Sequence, residues 1–182
     1  MKATPTALPG VILVEPAAFA DERGHFMETW HHGRYRAAGI DPAFVQSNAA
    51  HSRRGVLRGL HYQLGRPQAK LLWVPHGEIL DVAVDVRRGS PTFGRWVGEV
   101  LSADNRRQLF VPAGFAHGYC VLSETADVVY LCSDFYAPAE ERGVRWDDPA
   151  LAIEWPEQAP LVSAKDRALP LLSAADLPPY AP

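Results

Sequence analysis

Short apolar or β-branched runs punctuated by turn residues dominate the chain. They read GVILVEP, GHFMETW, AFVQSN, GVLRGLHYQ, KLLWVPHGEILDVAVDVR, RWVGEVLS, RQLFVPAGFAHGYCVLS and DVVYLCSDFY. Gly, Pro, Asn or Asp stands at many of their boundaries, as turns require. Within ILDVAVDV the alternation is strict: Asp81, Ala83 and Asp85 fall on one face, Val82, Val84 and Val86 on the other. The two aspartates are read as structural or pocket-rim groups. Only HHGRYRAAG near residue 31 and the region around SAADL read as helical, and both are short. His31 and His32 open the first of these and are expected to be solvated. No internal repeat and no linker divides the chain. Residues 1–182 are therefore expected to form one domain, with the proline-rich 170–182 tail draped over its surface.

Many short strands with turns between them predict an all-β sandwich or barrel. The segment PAGFAHG narrows this to a cupin-like jelly roll with a few short helices, in which a Pro-x-Gly turn precedes an inward-facing histidine. Composition adds limits rather than direction. At 182 residues, 47% hydrophobic and 21% charged, the chain suits one ordinary globular unit with a real core. A net charge of -3 gives no global pull on nucleic acid or an anionic membrane, so neither is expected as a partner. A phosphate-bearing ligand would have to be held by a few local arginines and lysines. The apolar run VILV near the start is too short for a signal peptide or a membrane span. Cys120 and Cys132 sit inside apolar runs and read as buried free thiols, which points to the cytoplasm.

GVLRGLHYQ puts His61 in the middle of what reads as a buried strand, between Leu60 and Tyr62. It could be a packed core histidine, a metal ligand or a base. Metal-binding cupins pair His-x-His with a nearby glutamate, then add a final histidine from the second motif. His117 fits the final position, but Gly59 stands where the first histidine would be, and Gln63, Gly65, Arg66 and Lys70 follow instead of a carboxylate. That is a poor donor set for a divalent ion, and no metal is expected. Arg58, His61, Lys70 and His117 nevertheless fall on strands that should line a barrel, more polar groups than a bland core tolerates. They read as a ligand pocket. A neutral histidine is a competent base near its ordinary pKa, a lysine can stabilise an oxyanion, and Tyr130 on a later strand can supply a proton from another direction. Together these residues suit enolisation beside a carbonyl, with re-protonation from the other face inverting a centre.

At this point the chain resembles one family, the dTDP-4-dehydrorhamnose 3,5-epimerases, metal-free jelly-roll enzymes of deoxysugar biosynthesis. The likeness runs in order through GVILVEP, DERGHFMETW, VQSN, GVLRGLHYQ, GEILDVAVDVRRGSPTFGRWVGEVLS, RQLFVPAGFAHGY, YLCSDFYAP, WDDPALAIEWP and LVSAKD, nearly the whole chain. The resemblance implies an isomerase that inverts C3 and C5 of dTDP-4-keto-6-deoxyglucose through enolates, giving dTDP-4-keto-L-rhamnose without a cofactor. It implies His61 as general base, polarised by Asp166 of SAKD, with Tyr130 as acid on the opposite face and Lys70 stabilising the enolate oxygen. Arg58, His117 and Lys165 would surround the substrate. Arg23, Glu28, Gln46, Ser47, Asn48 and Glu141 match positions that hold nucleotide and sugar, and Tyr136 of FYAP an aromatic that stacks on thymine. A homodimer is also implied. Strands within about residues 1–50 would be exchanged, so Arg23 and Glu28 of DERGHFMETW would serve the neighbour's pocket. The end product would belong to a dTDP-rhamnose route such as cell-surface polysaccharide synthesis.

The chain departs from the family pattern in two places. Leu131 follows the tyrosine where a lysine is frequent, and NAAHS replaces a more polar run after the asparagine. Neither touches the catalytic set, but they leave a C3-only epimerase open. The other readings are a metal-dependent cupin and a non-catalytic sugar-nucleotide binding protein.

Overall fold

A computed structural model describes residues 1–180, so the last two residues of the expected tail, 181–182, lie outside the described residues. The chain begins with β1 (Lys2–Pro5), β2 (Ile12–Glu15) and a small hairpin of β3 (Ala18–Asp21) and β4 (Gly24–Met27), followed by helix α1 (His32–Ala37). Long strands come next: β5 (Gln46–Arg53), β6 (Val56–Gln63), β7 (Lys70–His76), β8 (Glu78–Asp85) and β9 (Trp96–Ser102). Then follow β10 (Gln108–Val111), β11 (Phe115–Val121), β12 (Thr125–Cys132), β13 (Glu141–Gly143), β14 (Leu161–Val162) and helix α2 (Ala164–Arg167). One sheet runs β1-β2-β10-β7-β12-β5, the other β13-β6-β11-β8-β9 with β14 added in parallel to β6. This is the expected cupin-like jelly roll, with sequence-distant strands brought side by side.

Period-two alternation sorts each central strand into an inward and an outward set. On β7, Leu72 and Val74 enter the core between the sheets with Ile79, Leu101, Leu109, Phe115 and Val128. The intervening Leu71 faces out, where it packs with Val14, Tyr35, Ile40 and Phe110 beneath α1. Val82 and Val84 of β8, with Val86 just after it, point away from the barrel and are covered by Val144, Leu151 and Leu172 of the C-terminal segment. Each fully buried aliphatic of this kind contributes about 1.5–3 kcal/mol, so the covering segment is part of the fold. The tail is also tied by hydrogen bonds: Arg88 donates its backbone N–H to Pro178, and Tyr180 donates to Arg88.

Several expectations are corrected in detail. The run KLLWVPHGEILDVAVDVR is two strands, broken at Gly77, where φ is +79° and a Cβ would lie 2.1 Å from the Thr125 carbonyl oxygen. Asp81 and Asp85 are both completely buried on the inward face of β8, so neither is a rim group. Asp85 is structural: it accepts from Arg87, Ser90 and Thr92 and organises the turn after β8. SAADL forms only a single 3-10 turn, Leu172–Ala174. His31 and His32 are exposed and open α1 as expected, His31 as its N-cap accepting from the Arg34 backbone N–H. Helix α2 was not anticipated; the Ser163 hydroxyl caps it by accepting from the Asp166 backbone N–H at 3.0 Å.

Candidate active site

The site forms where β6 meets β11. A regular strand would put residues 58 and 61 on opposite faces. Here Arg58 pairs with Tyr119 and His61 with His117, so three steps on β6 match two on β11. The extra residue is a β-bulge, which re-aims side chains next to it. Arg58 and His61 therefore both line the cleft, while Leu60 turns into the outer core. Glycine makes the bulge fit. Gly59 has φ +127°, and a Cβ there would lie 2.6 Å from the Gly118 Cα and 2.8 Å from the His117 carbonyl oxygen. The position that carries a histidine in a metal-binding pattern has no room for any side chain.

His61 Nε2 lies 2.7 Å from Asp166 Oδ1. Asp166 is only 4% exposed, because α2 and its Ser163 cap hold it under β6. Burial alone would raise its pKa, but the hydrogen bond and charge of His61, with the backbone N–H of Gly59 and the side chain of Ser163, outweigh that and hold the carboxyl below its usual range. A carboxylate at Nε2 favours the tautomer protonated there, which leaves Nδ1 as the basic lone pair. Lys165, its neighbour in sequence, does not pair with Asp166 but donates to Glu141 Oε2 at 2.6 Å. His117 has a comparable partner: its Nε2 lies 2.7 Å from Asp81 Oδ1, both groups being buried.

From the facing sheet come Lys70 on β7 and Tyr130 on the adjacent β12. Burial pushes the Lys70 amine down, against the raising influence of Cys132, Asp81 and Glu141. Burial likewise pushes the Tyr130 phenol up, with Cys132 and Tyr119 adding to it. Neither side chain has a hydrogen-bond partner among the described residues. His61, Lys70 and Tyr130 together line both lobes of one cleft, with volumes of about 310 and 470 Å³. The smaller lobe carries Gln46, Asn48, Tyr136 and Glu141. In it the Tyr136 hydroxyl donates to Glu141 Oε2 at 2.5 Å and Gln46 Oε1 accepts from the Tyr136 N–H. The larger lobe carries Arg58, His117, Tyr119, Lys165 and Asp166. Among the described residues, no three His, Cys, Asp or Glu side chains gather as metal ligands.

The family model described as dTDP-4-dehydrorhamnose 3,5-epimerase matches residues 5–174. The chain belongs to the dTDP-4-dehydrorhamnose 3,5-epimerase family. A Pseudomonas aeruginosa relative named dTDP-4-dehydrorhamnose 3,5-epimerase is 57% identical over 92% of this chain and 93% of its own length. The crystal structure of a Legionella pneumophila dTDP-6-deoxy-D-glucose-3,5-epimerase in complex with dTDP-4-keto-L-rhamnose superposes with a TM-score of 0.96. It is 47% identical, with 100% and 99% of the two chains covered. A Streptomyces niveus relative named dTDP-4-dehydrorhamnose 3-epimerase is 42% identical over 100% of this chain and 90% of its own.

Set against the family's expected site residues, the cleft brings together His61, Lys70, Tyr130, Asp166, Arg58, His117, Gln46, Asn48, Tyr136, Glu141 and Lys165. Three lie elsewhere. Ser47 alternates to the exposed face of β5. Arg23 lies in the β3–β4 turn and pairs with Asp21 at 2.5 Å, while Glu28 pairs with Arg34. Lining residues that the sequence reading did not place in the site include Gln63, Gln68, Tyr119 and Cys132, and Asp81, read only as a structural or rim group, supports His117. Two carried a usable signal, because strand parity puts Tyr119 on the face of His117 and Cys132 on that of Tyr130. Asp81 had none, since its pairing with His117 depends on cross-strand register.

Proposed function

We propose that this protein inverts C3 and C5 of dTDP-4-keto-6-deoxyglucose to give dTDP-4-keto-L-rhamnose. The observation that carries the reading is that a histidine–carboxylate pair and a tyrosine face each other from opposite sheets, with a lysine at the same constriction. A sugar ring between the sheets meets the base on one face and the acid on the other. His61 removes the proton from the carbon beside the C4 ketone, and the electron pair moves onto the C4 oxygen. Asp166 stabilises the imidazolium that forms. The lowered hold of Lys70 on its proton suits donation toward the enolate oxygen. Tyr130, which stays protonated at neutral pH because burial raises it, returns a proton on the opposite face and inverts the centre. The same groups serve both carbons, because the ketone acidifies each. Nothing is oxidised or reduced.

The smaller lobe suits the nucleotide, with Tyr136 half-exposed for stacking and amides from Gln46 and Asn48 beside it. Its own chain supplies few cations there. A dimer answers this: the β3–β4 hairpin displays Phe19 and Phe26, 68% and 72% exposed and paired across the strands, with Arg23 in its turn. Seated on a second copy, the hairpin would bury that apolar pair and bring Arg23 and Glu28 to the neighbour's nucleotide. Incubation of the protein with dTDP-4-keto-6-deoxyglucose in heavy water tests the reaction. NMR should show deuterium at C3 and C5 with both centres inverted. Deuterium and inversion confined to C3 would assign a 3-epimerase, and an unchanged sugar would overturn the reading.

A further inference from the structure

Ser52 is buried, 5% exposed, near the end of β5. Gln46, Asn48 and Ala50 precede it on the same face and line the cleft. Of these four only Ser52 carries a hydroxyl. The chain then turns through residues 53–55 into β6 of the other sheet, where Arg58 is the one exposed position. Ser52 Oγ accepts from Arg58 twice, from Nε–H and from Nη2–H, both at 3.1 Å. The Tyr119 phenol lies against the same two side chains. The carboxylates of this region pair with histidines instead, Asp166 with His61 and Asp81 with His117. Arg58 therefore lines the larger lobe with its charge uncompensated and a neutral anchor behind it.

Alanine would fill the Ser52 site without burying a polar atom, so packing accounts for a small residue there and leaves the hydroxyl unexplained. Arg58 gives it a use. A long side chain at the cleft surface loses rotamer freedom when it grips a ligand, and one already fixed loses less. An acceptor shared by Nε and Nη2 sets the plane of the guanidinium as well as its position, since those two N–H groups form one edge of a rigid fork. Two of the five N–H donors are held this way, which leaves the Nη1 pair for a ligand. We infer that Ser52 is a positioning residue, which presets the Arg58 guanidinium for the bound substrate without neutralising it as a carboxylate would. The inference rests on the proposed reaction and adds a residue to its machinery.

A double-mutant cycle in the full chain tests this, with the parent, Ser52→Ala, Arg58→Met and the two combined. Ser52→Ala should lower kcat/KM for dTDP-4-keto-6-deoxyglucose by about 5- to 30-fold, as expected for losing the hydrogen-bonded anchor of a charged group. In the Arg58→Met background the same substitution should change kcat/KM by less than about twofold, because the group that Ser52 positions is gone. A packing role would instead cost the same factor with or without Arg58, and that result overturns the inference. So does an unchanged kcat/KM in Ser52→Ala. Nitrogen NMR supplies a readout that does not depend on turnover. The arginine Nε–H signal that is absent from Arg58→Met should exchange with solvent faster in Ser52→Ala than in the parent, and equal protection in the two overturns the anchoring. A parent protein that leaves the sugar unchanged would refute the proposed reaction itself, which is distinguishable from a parent and a Ser52→Ala variant that turn over alike.

Discussion

Replacing Asp166 by asparagine changes one atom and removes one charge at the most constrained point of the site. Asp166 Oδ1 lies 2.7 Å from His61 Nε2, and Oδ2 lies 3.4 Å from the Gly59 backbone N–H. Both contacts ask the side chain to accept, which a carboxylate does with either oxygen. An amide has only one acceptor and must choose. If its oxygen faces His61, its NH₂ opposes the Gly59 N–H. If it flips, its NH₂ donates to Nε2 and the histidine proton moves to Nδ1, the position that must be basic. Either way the imidazolium loses its counter-charge. Two unit charges about 4 Å apart interact by roughly 4 kcal/mol at an effective dielectric constant of about 20. His61 remains partly exposed to the cleft, so about 2–4 kcal/mol on the proton-abstraction barrier is the reasonable range, or roughly 30- to 1,000-fold in rate.

The assay is deuterium wash-in at C3 and C5 in heavy water, with the imidazole tautomer followed by nitrogen NMR. Stability supplies a control of known sign. The folded-state pKa of Asp166 is lowered, so its contribution is present above the unfolded carboxylate value of about 3.9 and is lost as pH falls through the folded value. The Tm gap between parent and variant should therefore close in acid. Wash-in within about threefold of the parent, in a folded Asp166→Asn protein, would refute the role of the carboxylate in base catalysis.

Tyr130→Phe should separate the two halves of the reaction: deuterium still enters C3 or C5 with configuration largely kept, while inverted product becomes scarce; undiminished inversion would assign the acid to another group. Because burial lowers the Lys70 amine and the charged form is required, kcat/KM should decline at a pH below the ordinary lysine value and the decline should be absent in Lys70→Arg; an identical alkaline limb in both proteins would remove Lys70 from the enolate. Mixing Arg23→Ala chains with His61→Ala chains should restore activity, since one site of each mixed dimer carries both lesions and the other none; mixed dimers without recovery would count against hairpin exchange.

Strand-rich architecture and the Pro-x-Gly turn follow from the chain alone, because alternation and turn chemistry are local, and Arg58, His61, Lys70 and His117 stand out there as polar residues on strand-like runs. Asp166 and Tyr130 are singled out only by the family motifs, since their local context is otherwise uninformative. What the sequence could not determine lies where distance along the chain and distance in space part company. Parity along β6 would separate Arg58 from His61, and only the bulge at Gly59, permitted by its fit against Gly118, turns both into one cleft. The aspartates of β8 look alike in sequence, yet register places Asp81 against His117 while the following turn occupies Asp85. Helix α2 is a single turn, too short to be stable alone, and forms because Ser163 caps it and Asp166 is held by His61.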